Sequence, residues 1–177
     1  MKGLMIALLG AFVAPAAFAQ TAPGTGQVTF NGELLPDTCE IAAGDESKTV
    51  TLPTLSTQSL DAAGKVEGAK MFDISVSNCP ATLNNVAAHF ETTNMDPATR
   101  NALNQATTTP AGNVLVQLLD KDGTTPILLG SAGSYEPITG TGAARGATLS
   151  YGGQYYATAP TTPGNVTAIV RYTLAYN

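Results

Sequence analysis

The sequence has no tryptophan, a single histidine (His89) and only two cysteines (Cys39 and Cys79). So little ionisable and metal-binding chemistry excludes the common enzyme classes. A Ser-His-Asp or Cys-His arrangement would have to use His89, whose place in a strand candidate sets it opposite Val86, Ala88 and Phe90, towards solvent. Zinc needs more His or Cys than are free. Charge is also sparse, and what there is leans acidic. Without Lys2, 13 acidic residues face 7 basic ones, a formal charge of −6, which argues against nucleic-acid binding. Two stretches come near known motifs. Asp120-Lys121-Asp122-Gly123 lacks the further acids and the distal Glu of an EF-hand, and reads as a hairpin turn. Gly140 to Gly146 approaches G-x-G-x-x-G but has Arg145 at the sixth position and no βαβ context. No catalytic residue, cofactor or metal is expected.

Long apolar runs are missing too. A membrane span takes about 20 apolar residues, and the run from Leu4 to Val13 is shorter and is followed by Pro15. Lys2 before it and Ala17-Phe18-Ala19 after it complete a secretory signal over residues 1–19. Export implies an oxidising compartment, where two cysteines are most simply a disulfide. Closing a loop of about forty residues is worth roughly 4 kcal/mol in chain entropy. The spacing excludes a C-x-x-C redox site. The mature chain, Gln20 to Asn177, amounts to one domain. Asn165-Val166-Thr167 is a formal glycosylation sequon, of consequence only in a host that uses it.

What remains is Thr, Ala, Gly, Val and Leu with frequent proline, a composition of strands and turns. Alternation marks strands at Phe72 to Asn78 and Val86 to Thr92. Val114 to Asp120, strongly apolar between Gly112 and Gly123, reads as a central strand. Asp122-Gly123 turns it into Pro126 to Leu129. Leu149 to Thr158 holds a further strand, Glu33 to Ala42 a bent or edge strand interrupted by Pro36, and Thr49 to Leu52 a short one. Ser56 to Gly68 reads as a long loop with room for one helical turn, Ser131 to Arg145 as a surface loop, Thr161 to Gly164 as a turn, and Asp96 to Ala106 as a short helix or polar loop.

The two ends of the mature chain are unusual. Gln20 to Phe30 (QTAPGTGQVTF) is small, glycine-rich and alternating, so Ala22, Gly24, Gly26, Val28 and Phe30 share one face of an extended strand. It is too thin to found a core, and suits a hydrophobic groove in another copy of the same protein. Pro23 removes one backbone donor from it. At the other end, Val166, Ala168, Val170, Tyr172, Leu174 and Tyr176 alternate up to the last residue. The far edge of that strand stands exposed unless something pairs with it. A spare strand at the start and a strand with no successor at the end suit an all-β, immunoglobulin-like sandwich that is incomplete.

FNGELLPDTC (Phe30 to Cys39), FDISVSNC (Phe72 to Cys79), VLVQLLDKDG (Val114 to Gly123) and the QYYATAPTTPGNV…RYTLAYN ending resemble the major pilins of type 1-like chaperone–usher fimbriae. The resemblance covers essentially the whole mature chain. It implies a sandwich lacking its last strand, completed by donor-strand exchange. A periplasmic chaperone first lends the strand, and at an outer-membrane usher the next subunit's extension replaces it, a known form of β-augmentation. On this resemblance residues 20–30 are the donor extension and 31–177 the pilin domain. Gly26 is the small donor residue that passes a constriction, Val28 and Phe30 fill pockets beside it, and Ala22 and Gly24 take shallower positions. Val170, Tyr172, Leu174 and Tyr176 line the groove, and basic residues of the chaperone grip the Asn177 carboxylate. The expected partners are other copies of the chain, the chaperone and the usher, and the expected location is a fimbrium on the cell surface. A minor adaptor or tip-associated subunit is the alternative. A two-domain adhesin needs a receptor-binding domain for which this length leaves no room.

Overall fold

Alternation and burial together explain the strands. The computed structural model describes residues 26–32, 34 and 38–177. The expected signal segment and the positions Ala22 and Gly24 lie outside them. The chain divides into an N-terminal unit ending at Leu34 and a second unit, Leu35–Asn177. In the second unit the strands are β1 (Glu40–Ile41), β2 (Val66–Ser77), β3 (Asn85–Glu91), β4 (Ala102–Leu103), β5 (Val114–Leu119), β6 (Pro126–Ile127), β7 (Ser131–Ala132), β8 (Glu136–Pro137), β9 (Ala147–Ala157) and β10 (Arg171–Tyr176). One sheet runs β1-β2-β9-β5-β4, with β6 also on β5; the other runs β10-β3-β7, with β8 also on β3. All ladders are antiparallel. This is the expected all-β sandwich.

The inner faces are those the alternation marked. Ile74 and Val76 of β2, Val86, Ala88 and Phe90 of β3, Leu118 of β5 and Leu149 and Tyr151 of β9 are buried in one cluster. Tyr151 joins the layers. Its ring meets Phe90 edge-on with centroids 4.9 Å apart, and its hydroxyl accepts a hydrogen bond from the Ala88 amide at 2.9 Å. That bond satisfies a β3 backbone group between the places where β7 and β8 pair. Burial pushes the Tyr151 phenol up from its ordinary pKa. Gly133 is required beside it, because a Cβ there would lie 2.3 Å from the Tyr151 ring.

Several expectations change. Ser131 to Arg145 is not a plain loop: it supplies β7, β8 and a 3-10 turn at Gly142–Ala144, and Ile138 within it is buried. Asp96 to Ala106 forms no helix. The Asp96 carboxylate caps Thr99 N–H at 2.7 Å, but Arg100 sits at φ +56°, which stops helical propagation, and β4 follows. Thr49 to Leu52 carries no ladder pairing. Among the described residues of Glu33 to Ala42, Glu40–Ile41 pairs as a strand; Glu33 and Leu35 to Asp37 lie outside them. Ser56 to Gly68 does hold one helical turn, a 3-10 turn at Thr57–Leu60, but β2 already begins at Val66, inside the expected loop. The last strand begins at Arg171 rather than Val166.

The Cys39–Cys79 disulfide is present, with Cα atoms 4.1 Å apart. It ties the residue before β1 to the end of β2, where a two-residue ladder alone holds little. A Cys39→Ala/Cys79→Ala chain is expected to lose about 4 kcal/mol, measured as a lower urea midpoint in equilibrium unfolding; an unchanged midpoint would contradict this.

Candidate functional site

The two sheets meet along two seams, and the seams differ. Along one, the chain itself crosses from β6 to β7 through buried Leu129. There the Arg100 guanidinium donates to the Leu129 carbonyl, and Gly130 N–H donates to Phe90 O at 2.7 Å. Along the other, β1 edges the first sheet and β10 edges the second. Among the described residues no strand lies between them. Two tyrosines of β10 reach across: Tyr172 O–H donates to the Asp45 carbonyl at 2.9 Å, and Tyr176 Oη accepts from Cys39 N–H at 3.0 Å.

The bond pattern shows which way the β10 edge faces. Backbone groups of successive residues in a strand point to opposite sides. Phe90 and Ala88 turn their carbonyls to the β7 side, accepting from Gly130 and Gly133. Their neighbours Glu91, His89 and Ala87 therefore face β10, opposite Arg171, Thr173 and Ala175. The backbone N–H and C=O of Tyr172, Leu174 and Tyr176 consequently point out along the open seam. The same residues direct their side chains inward. Ala168, Val170, Tyr172, Leu174 and Tyr176 all pack on the core cluster yet are only partly buried. An unpaired edge with a half-covered apolar face beneath it can take one more strand, which would satisfy the backbone groups and cover the side chains.

The facing wall is held firmly. Ala42 N–H donates to Ser75 O at 2.9 Å, and Asn78 Nδ2 donates to Glu40 Oε1 at 2.8 Å. The Asp45 carboxylate accepts from Ser75 N–H at 2.8 Å and pairs with Lys48 Nζ at 2.5 Å. The Lys48 hydrogen bond first, and the Ser75 amide second, hold the Asp45 pKa below its ordinary value. Burial in the seam raises the Tyr172 phenol, with the charges of Asp45 and Glu46 adding to the effect.

The structure thus brings Val170, Tyr172, Leu174 and Tyr176 together on one face, with exposed Asn177 at its end. His89 is half-buried on the opposite face of β3. In the N-terminal unit, Gly26, Val28 and Phe30 have no regular secondary structure. Val28 is 74% and Phe30 90% exposed, and a Cβ at Gly26 would meet nothing within 4 Å. The bonds of the two tyrosines to the backbone of Cys39 and Asp45 had no signal in the sequence.

The family model described as "Fimbrial protein" matches residues 28–177. The F17 fimbrial protein of Escherichia coli is 41% identical over 93% of this chain and 94% of its own length. The major fimbrial subunit SMF-1 of Stenotrophomonas maltophilia is also 41% identical, over 86% of this chain and 92% of its own. Among solved structures, the P pilus rod subunit PapA aligns with a TM-score of 0.61 at 18% identity, covering 80% of this chain and all of its own.

Proposed function

We propose that this chain, which belongs to the fimbrial protein family, is a structural subunit of a surface fimbria that polymerises head-to-tail by donor-strand exchange. The observation that carries the reading is the open β10 edge above a half-covered apolar face. The segment Gln20–Phe30 of a second copy is the strand that fits it. Val28 and Phe30 offer apolar side chains that stand exposed in the subunit itself, each worth roughly 1.5–3 kcal/mol when buried. Because the donating and accepting surfaces differ, the contact does not close on itself and produces a fibre.

An uncovered edge of this kind is an aggregation hazard. Until a neighbour arrives it needs a temporary strand, a role for a periplasmic chaperone whose basic residues hold the Asn177 carboxylate. The outer-membrane usher is where the exchange takes place. Within the fibre we assign the chain to the shaft, in keeping with a relative described as a major subunit. Nothing in the reading calls for catalysis.

Immunogold electron microscopy with an antibody to this chain tests the assignment. Labelling along the whole fibre length is expected. Labelling confined to the tips would make it a minor, adaptor-like subunit, and cells with no labelled fibres would overturn the reading.

A further inference from the structure

Residues Val166–Val170 have the inward alternation of a strand but no ladder with β3, which ends at Glu91 opposite Arg171. Side chains take its place. Asn104 uses its whole amide here. Its Oδ1 accepts from Thr167 N–H and from Ala106 N–H, each at 3.0 Å. Its Nδ2 donates to Asn165 O at 2.9 Å and to Ala111 O at 3.0 Å. The Thr167 carbonyl is taken by Gln105 N–H at 2.7 Å. Two residues on, the Ile169 carbonyl accepts from Thr92 Oγ1 at 2.9 Å.

These bonds engage the backbone of Thr167 and Ile169, the same parity that faces β3 along β10. Alternation then turns the backbone groups of Ala168 and Val170 to the open side, in line with those of Tyr172, Leu174 and Tyr176. Resting on the donor-strand reading, we propose that Asn104, aided by Thr92, is a positioning residue for strand capture. Its amide stands in for the strand that β3 no longer supplies. It thereby lengthens the acceptor edge from β10 back to Ala168.

Amide-resolved hydrogen exchange on fibres of the full mature chain tests this. In wild-type fibres the amides of Ala168 and Val170 should be protected together with those of Tyr172, Leu174 and Tyr176. In Asn104→Leu fibres, losing several hydrogen bonds at one site should speed exchange at Ala168 and Val170 about tenfold or more, with the β10 amides unchanged. Equal protection in the two fibres would overturn the inference. So would a uniform loss along the whole of β10, which is what a merely structural residue would give. Should Asn104→Leu not assemble, Thr92→Val keeps the Asn104 bonds and removes the one to Ile169. It should loosen Val170 selectively, and unchanged protection there would refute the inference. Wild-type fibres with Gly26 to Phe30 unprotected would instead overturn donor-strand exchange itself, and this inference with it.

Discussion

Replacing Gly26 by leucine is expected to abolish fibres while the chaperone-bound subunit stays folded. The separation of the two effects is the point of the experiment. Within the subunit a Cβ at Gly26 meets nothing within 4 Å, so the substitution is expected to leave the fold untouched. On the proposed donor-strand reading, it adds volume where Gly26 is assigned to pass a constriction of the groove. Overpacking costs about 1–3 kcal/mol, roughly five- to a hundredfold in each joint's equilibrium. A long fibre needs every joint, so these factors multiply, and electron microscopy should find fibres missing or reduced to short fragments. Normal fibres from Gly26→Leu would sink the role given to Gly26. An unfolded chaperone-bound subunit would show that Gly26 serves the fold instead.

The second large effect concerns stability. A chain lacking Gln20 to Phe30, purified with its chaperone and then released, should unfold at a low temperature. It should be rescued by a synthetic peptide of that sequence. Val28 and Phe30 together contribute about 3–6 kcal/mol on burial. At roughly 2–4 °C per kcal/mol for a domain of this size, the midpoint should rise on the order of 10–20 °C, and the complex should dissociate slowly. Calorimetry with and without the peptide makes the comparison. A truncated domain already stable alone and unmoved by the peptide would describe a self-contained sandwich and end the polymer reading.

The parts of the fold that were legible in the sequence are those where apolar and polar residues alternate strictly. Phe72, Ile74 and Val76, and then Val86, Ala88 and Phe90, announced β2 and β3 because one face of each had to be buried. β5 was legible from its apolar density between glycines. Ser131 to Arg145 hid two strands because each is only two residues long, too short to show alternation, and its anchors are single apolar side chains, such as Ile138. The alternation from Val166 marked the inner face truly but misplaced the start of β10. Side-chain direction is a property of the segment, whereas ladder pairing depends on a neighbour that ends at Glu91. Thr49 to Leu52 shows the same limit. The candidate site was legible as a row of inward residues on the last strand. The opposing wall was not, since Tyr172 and Tyr176 bond to backbone atoms, which leave no mark on residue identity.

The disulfide has a mechanical consequence. Tension applied to the chain N-terminal to Thr38 reaches Cys39 before any strand of the second unit. Without a crosslink this pull would meet the two-residue ladder of β1 first and peel it from β2 one bond pair at a time. With Cys39 bonded to Cys79, the load passes through sulfur to the far end of β2 and onward. Everything from Glu40 to Asn78, including β1 and the whole length of β2, is bypassed and cannot be drawn out. The wall of the groove that holds Asp45 therefore keeps its shape under load, and a stretched chain yields elsewhere.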